Sequence, residues 1–219
     1  MKTIGIMGGT FDPPHYGHLY AAKAAYEAVG LDDVLFIPNG TPAYKTSEGE
    51  VTDKTHRIAM LRRLIADESW CKLSLVECER DGNTYTADTL RQLTDENPDI
   101  CYELIVGSDS LRAMESWYHP EIVFQLSGIL VLLRDKDTAE ALDSIVKHYE
   151  ETYGARIRII PFEKRIVSST QIRQKVINGE SLTGLVPESV EQYIVENRLY
   201  LEKEAYDESI FKRLYGKRI

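Results

Sequence analysis

A doubly wound α/β fold on a mainly parallel sheet is predicted by three observations. Short apolar runs alternate with helical patterns along most of the chain. Several of these runs are continuously apolar, as strands buried on both faces require. The loop richest in glycine and histidine follows the first run directly, where such sheets bind their ligands.

The elements follow in order. Thr3 to Met7 (TIGIM) reads as a buried strand, and His18 to Val29 as a helix stopped by Gly30. Val34 to Ile37 is the second strand, ended by Pro38, and Asn39 to Glu50 reads as a loop. Ile58, Leu61, Leu64 and Ile65 recur at helical spacing within Lys54 to Asp67. Lys72 to Val76 alternates like a strand, Ala87 to Glu96 is helical, and Tyr102 to Val106 is the next strand. Ile129 to Leu133 is a further buried strand, Ala139 to Tyr153 a helix, and Arg156 to Ile160 the last strand. Helices are expected near Ser169 to Asn178 and Pro187 to Asn197. From Glu202 onward, charges mix with Tyr206, Ile210, Phe211 and Leu214 at roughly helical spacing. The expected organisation is a domain over residues 1–201 and a C-terminal extension over 202–219 that could be an extra packed helix or an oligomer contact.

The 219 residues suit one large domain, or one with an appendage, and 43% are hydrophobic, enough for a sizeable core. The formal net charge of -9 denies the chain the broad positive field of a general nucleic-acid binder. Phosphates would have to be held by a few local cations and backbone N–H groups. Cys71, Cys78 and Cys101 form no CxxC pair and read as reduced thiols rather than as disulfides or zinc ligands. The chain opens on an apparent strand, so no signal peptide is expected. No run approaches the length of a membrane span. Together these features make a cytoplasmic location the expectation.

Two motifs carry chemistry. The first runs Gly8-Gly9-Thr10-Phe11-Asp12-Pro13-Pro14-His15-Tyr16-Gly17-His18. Gly8 and Gly9 allow backbone N–H groups to approach a phosphate closely. His15 and His18 stand at the mouth of a helix, at a spacing that puts both rings on one face. A cation there is disfavoured by the helix dipole unless an anion accompanies it, so the pair suggests a phosphate partner. Gly17 leaves room for a flat base against the backbone. The plainer alternative is a turn with two exposed histidines. The run is neither GxGxxG nor GxxxxGK[ST], and no third zinc ligand lies nearby in sequence. The second motif is Ser168-Ser169-Thr170-Gln171-Ile172-Arg173. Ser168 and Gln171 fit a capping box, which is a sufficient structural reason for both. Thr170 and Arg173 lie beyond that reason, and with the helix N–H groups they form an anion site.

Together the two motifs resemble the HxGH nucleotidyltransferase superfamily. Within it, GGTFDPPHYGHL, Tyr85-Thr86-Ala87-Asp88-Thr89-Leu90, Gly107-Ser108-Asp109 followed by Trp117-Tyr118, and Val167 to Arg173 resemble segments of the bacterial nicotinate-nucleotide adenylyltransferases. The resemblance covers almost the whole chain. It implies a Rossmann-like nucleotidyltransferase fold and a reaction in which ATP and nicotinate mononucleotide give deamido-NAD and pyrophosphate, with Mg²⁺. It implies that His15 and His18 stabilise the transferring α-phosphate, and that Thr170 and Arg173 hold the ATP phosphates with Ser169 nearby. Gly8, Gly9, Thr10, Phe11 and Gly17 would line the ATP site, and Gly107 and Asp109 would contact adenosine. Trp117 would stack on the pyridine ring, and backbone N–H groups near Thr86 and Tyr118 would receive the nicotinate carboxylate. Lys45 would reach a phosphate. The sequence departs from the family at Tyr44, where His is usual, and at Ser108, where Ala is usual; the family also usually ends near Leu199-Tyr200. Taken singly, Trp117 also suits a core position, Asp109 an N-cap and Lys45 a solvated loop. Arg134 could sit at the same sheet edge.

The implied chemistry is displacement at the α-phosphorus by an oxygen that is already anionic, so no strong general base and no covalent intermediate is needed. Positioning and electrostatics would carry it, with His15, His18, Lys45, Arg173 and Mg²⁺ offsetting the phosphate charge. Other classes stay open. They are transfer to phosphopantetheine or nicotinamide mononucleotide, ATP sensing without turnover, an aminoacyl-tRNA-type activator, and a flavodoxin-like electron carrier. The acidic charge argues against the activator, and a carrier would need neither motif. A homo-oligomer is also open.

Overall fold

Six strands and eight helices are present among the described residues of the computed structural model, which are 2–40, 51–133, 137–162 and 167–201. The strands are β1 (Lys2–Gly9), β2 (Asp33–Pro38), β3 (Cys71–Leu73), β4 (Ile100–Gly107), β5 (Ser127–Leu132) and β6 (Ile157–Ile160). They form one sheet in the order β3-β2-β1-β4-β5-β6, and every neighbouring pair is parallel. The order reverses between β1 and β4, which sets the topological switch point at the carboxyl ends of those two strands. The expected doubly wound parallel sheet is therefore the observed one.

The helices are α1 (Tyr16–Val29), α2 (Lys54–Leu64), α3 (Thr86–Glu96), α4 (Ser108–Ala113), α5 (Pro120–Leu126), α6 (Asp143–Tyr153), α7 (Ser169–Ile177) and α8 (Glu188–Glu196). Local chemistry accounts for their ends. Asp53 caps α2 by accepting from the Thr55 N–H, and Ser168 with Gln171 forms the expected capping box on α7. Gly154 ends α6 in the left-handed region, where a side chain would be strained.

The chain divides into two compact units. The first gathers residues 2–10, 20–40, 68–133 and 137–162, and so holds the whole sheet. Its core joins Ile6, Leu104, Val106, Ile129 and Val131 of the strands to Leu90, Leu93, Val123, Phe124 and Tyr149 of the helices. Burial of each such side chain contributes roughly 1.5–3 kcal/mol. The second unit gathers 11–19, 51–67 and 167–201. There the Tyr193 hydroxyl meets His56 Nδ1 at 3.0 Å, and the Arg63 guanidinium lies 4.3 Å from the centre of the Tyr193 ring.

The structure differs locally from the sequence reading in four places. Helices α4 and α5 were not expected; at six and seven residues they are too short to show periodicity, and burial of Leu111, Val123 and Phe124 stabilises them. The expected strand Lys72–Val76 pairs with β2 only over Cys71–Leu73. The expected helix from Ala139 begins with a 3₁₀ turn at Glu140–Leu142 before α6. Helix α2 ends at Leu64, short of Asp67. The readings that fall on Tyr44, Lys45, Arg134 and the extension 202–219 lie outside the described residues. All three cysteines are free thiols, Cys71 and Cys78 buried and Cys101 exposed.

Candidate active site

In the second unit, the turn after β1 and the start of α7 are brought together. Arg173 Nη1 donates to the Asp12 carbonyl at 2.7 Å, and Ser169 Oγ donates to the Pro13 carbonyl at 2.9 Å. A second nitrogen of the same guanidinium, Nη2, donates to Thr170 Oγ1 at 3.3 Å. Both motifs picked out of the sequence therefore meet on one turn, 156 and 161 residues apart along the chain.

The histidine pair on that turn is built closely. The two rings stack with centroids 3.8 Å apart, and Phe11 meets His18 edge-on at 5.0 Å. His18 Nδ1 accepts the His15 backbone N–H at 3.2 Å. A neutral His18 consequently carries its proton on Nε2, a donor suited to a phosphate oxygen. His15 is 5% exposed, and its Nδ1 is buried with no hydrogen-bond partner among the described residues. Burial lowers its pKa to about 4, against a smaller raising effect from the backbone. His15 is thus held uncharged at neutral pH as long as no anion lies beside it. Gly17 has a local reason to lack a side chain, since a Cβ there would stand 2.9 Å from His15 Cε1 and Nδ1. The space expected to receive a base on that side is filled by the His15 ring.

In the first unit, Gly8, Gly9 and Gly107 end the two strands that flank the switch point. A Cβ on exposed Gly8 would meet nothing within 4 Å, so its backbone is open to approach. Thr10 is buried, and its Oγ1 accepts from Asn39 Nδ2 at 3.3 Å. Phe11, assigned to the second unit, is 2% exposed with φ 53°, so it can meet a ligand through its backbone rather than its ring.

A cytidylyltransferase-like family model matches residues 6–175. A protein of Lachnoclostridium phytofermentans named "Probable nicotinate-nucleotide adenylyltransferase" is 41% identical over 92% of this chain and 100% of its own length. A protein of the same name from Clostridium botulinum is 36% identical over 93% of this chain and all of its own. The chain belongs to the nicotinate-nucleotide adenylyltransferase family. Solved structures of the Plasmodium falciparum nicotinic acid mononucleotide adenylyltransferase, complexed with APC and with NaAD, superpose with a TM-score of 0.72. They cover 91% of this chain and 98% of theirs at 21% and 20% identity, a likeness of fold.

The remaining residues expected from the family pattern lie in the first unit. Asp109 is exposed in the first turn of α4, next to Gly107. Trp117 is half-buried against the core, and Tyr118 is 47% exposed, its ring 4.4 Å from that of Tyr85. Thr86 opens α3, whose first turn has no side-chain cap, so its backbone N–H groups suit an incoming carboxylate. The departure at Ser108 has a structural counterpart. Its buried hydroxyl donates to Asp137, whose carboxylate also pairs with Arg112.

Sequence reasoning passed over Asp12, Thr52 and Tyr200. Asp12 is 7% exposed; its Oδ1 accepts from the Tyr200 hydroxyl at 2.7 Å and its Oδ2 from the Thr52 N–H at 3.1 Å. An acid inside a turn of apolar and proline residues was the available signal for Asp12. Tyr200 gave none, because its partner lies 188 residues away.

Proposed function

We propose that the protein transfers the adenylyl group of ATP to the 5′-phosphate of nicotinate mononucleotide, giving deamido-NAD and pyrophosphate. The observation that carries this reading is the stacked His15–His18 pair, fixed on a turn that also binds Arg173. The full-length relatives named for the reaction support it. A phosphate oxygen of the mononucleotide attacks the α-phosphorus; one P–O bond forms, the bond to the β-phosphate bridge breaks, and pyrophosphate leaves with the electron pair. The nucleophile is already an anion, so no protein group need remove a proton.

The chain's part is to hold two mutually repelling phosphates in line and to meet the charge that develops. His18 offers its Nε2–H. Arg173, oriented by its bonds to the Asp12 carbonyl and Thr170, directs its remaining N–H groups at the polyphosphate. His15 lies desolvated, and an arriving phosphate would favour its protonated form. The described residues contain no group of three or more His, Cys, Asp or Glu able to hold a metal ion. Mg²⁺ would enter with ATP, as part of the substrate.

On the acceptor side, Trp117 supplies a face for the pyridine ring. The uncapped start of α3 at Thr86 and the backbone at Tyr118 receive the carboxylate. An amide would present an NH₂ group to those donors and lose their bonds. Asp109 and Gly107 would contact adenosine, and Gly8 to Phe11 would line the ATP site. The net charge of -9 argues against a nucleic-acid partner. Among the described residues no helix is long and apolar enough to cross a membrane.

The test is pyrophosphate release with MgATP and, in turn, nicotinate mononucleotide, nicotinamide mononucleotide and phosphopantetheine. Strong preference for the first is expected. Preference for another would replace the acceptor, and release with none would overturn the reading.

A further inference from the structure

The turn that carries His15 is held from several sides, and two of its ties use side chains to which the reaction gives no role. The Asp12 carboxylate is buried, and both of its oxygens are engaged, one by the Tyr200 hydroxyl and one by the Thr52 N–H. Thr52 is itself fixed, because its carbonyl accepts from Nε of Arg57, a side chain 1% exposed. The Asp12 carbonyl meanwhile binds Arg173. One residue thus joins the chain before α2, the start of α7 and the C-terminal turn to the segment three residues before His15.

A buried carboxylate is costly unless charge-assisted hydrogen bonds satisfy it. Here the donors satisfy it, and in doing so they fix the position of the turn. The Tyr200 phenol is the donor, because burial, and next the negative Asp12, raise its pKa so that it keeps its proton. Tyr200 stands at φ 67° and Arg198 at φ 53°, both in the left-handed region. The C-terminal turn accepts this backbone cost at the two positions that lead to the Asp12 contact.

We propose that Asp12 and Tyr200 form a clasp that positions the His15–His18 pair and Arg173 for adenylyl transfer. They are positioning residues, and neither touches the phosphates. The clasp acts on alignment in the transition state and not on the affinity for either substrate. This rests on the adenylyl-transfer reading, so the wild-type enzyme is measured first. Without pyrophosphate release from the wild type, it is that reading that fails.

The experiment is Tyr200→Phe, which keeps the aromatic ring and removes the hydroxyl that donates to Asp12 and lies 4.0 Å from Met60 Sδ. Expected is a fall in kcat of about tenfold, below the hundredfold loss that a misplacement of about 1 Å can bring. KM for ATP and for the mononucleotide should stay within about twofold. Both are read well below the unfolding temperature of the variant. Asp12→Asn, which keeps one acceptor oxygen but turns an NH₂ toward the ring of donors, should lower kcat similarly. Adding Tyr200→Phe to it should cost little more, since residues acting through one bond are not additive. An unchanged kcat in Tyr200→Phe, whatever its stability, would reduce the clasp to a structural tie and overturn the proposal. So would a rise in KM without loss of kcat, or losses that multiply in the double variant.

Discussion

Two regions share the proposed chemistry and are built in opposite ways. In the second unit, the turn from Phe11 to His18 and the start of α7 are bound by their own chain: ring on ring, guanidinium on carbonyl, hydroxyl on carbonyl. In the first unit, Gly107 and Trp117 are half-buried, Asp109 and Tyr118 are exposed, and α3 begins without a side-chain cap. The contrast follows from what each must do. Groups that meet developing charge gain from being fixed before the substrate arrives, because then no reorganisation is needed in the transition state. Groups that select a substrate take their partner from it, and so must be reachable beforehand.

The largest expected effect breaks the fixed side. His18→Ala should lower kcat by about a hundredfold or more, the cost of losing one preorganised electrostatic group. A near-normal rate would remove His18 from the chemistry. Next in size is a pH effect on stability from His15. Its folded-state pKa of about 4 lies below the ordinary 6.5, so between those values the unfolded chain binds the proton and the folded one does not. Stability is therefore lost as pH falls through that window, by up to about 3 kcal/mol. Denaturant unfolding at pH 7 and pH 5 should show a smaller pH penalty in His15→Gln than in the wild type. Equal penalties would mean that His15 titrates normally.

On the open side, Trp117→Ala should raise KM for the mononucleotide about tenfold and leave that for ATP nearly unchanged, in line with about 1–3 kcal/mol for stacking on an aromatic ring. Equal losses for both substrates would argue for a purely structural tryptophan. The smallest effect compares two glycines. Gly17→Ala drives a Cβ against the His15 ring and should cost about 1–3 kcal/mol of stability. Gly8→Ala meets no neighbour and should leave stability unchanged, with any loss confined to KM for ATP. A stable Gly17→Ala enzyme of full activity would mean that the His15 ring can move without consequence.

The sequence revealed these regions unevenly, for physical reasons. The strand and helix order was legible because buried parallel strands and amphipathic helices write their periods into the chain, and the capping box at Ser168 is a local signal. Helices α4 and α5 were not legible, because a six- or seven-residue helix is made by its neighbours and not by its own pattern. The histidine pair and Arg173 were legible as residue types at a spacing. The uncharged state of His15 was not, since burial decides it, and Gly17 faces His15 where a base was expected. Tyr200 was invisible for the same reason: a contact across 188 residues leaves no mark on local sequence.

The central claim is a single in-line displacement at the α-phosphorus between groups held in place by the chain. It is tested most directly with ATP carrying one sulfur in place of a non-bridging α-oxygen, as a single diastereomer, with nicotinate mononucleotide as acceptor. Inversion of configuration at the α-phosphorus in the product is predicted. Retention would require two successive displacements and a covalent adenylyl-enzyme, and would contradict the account.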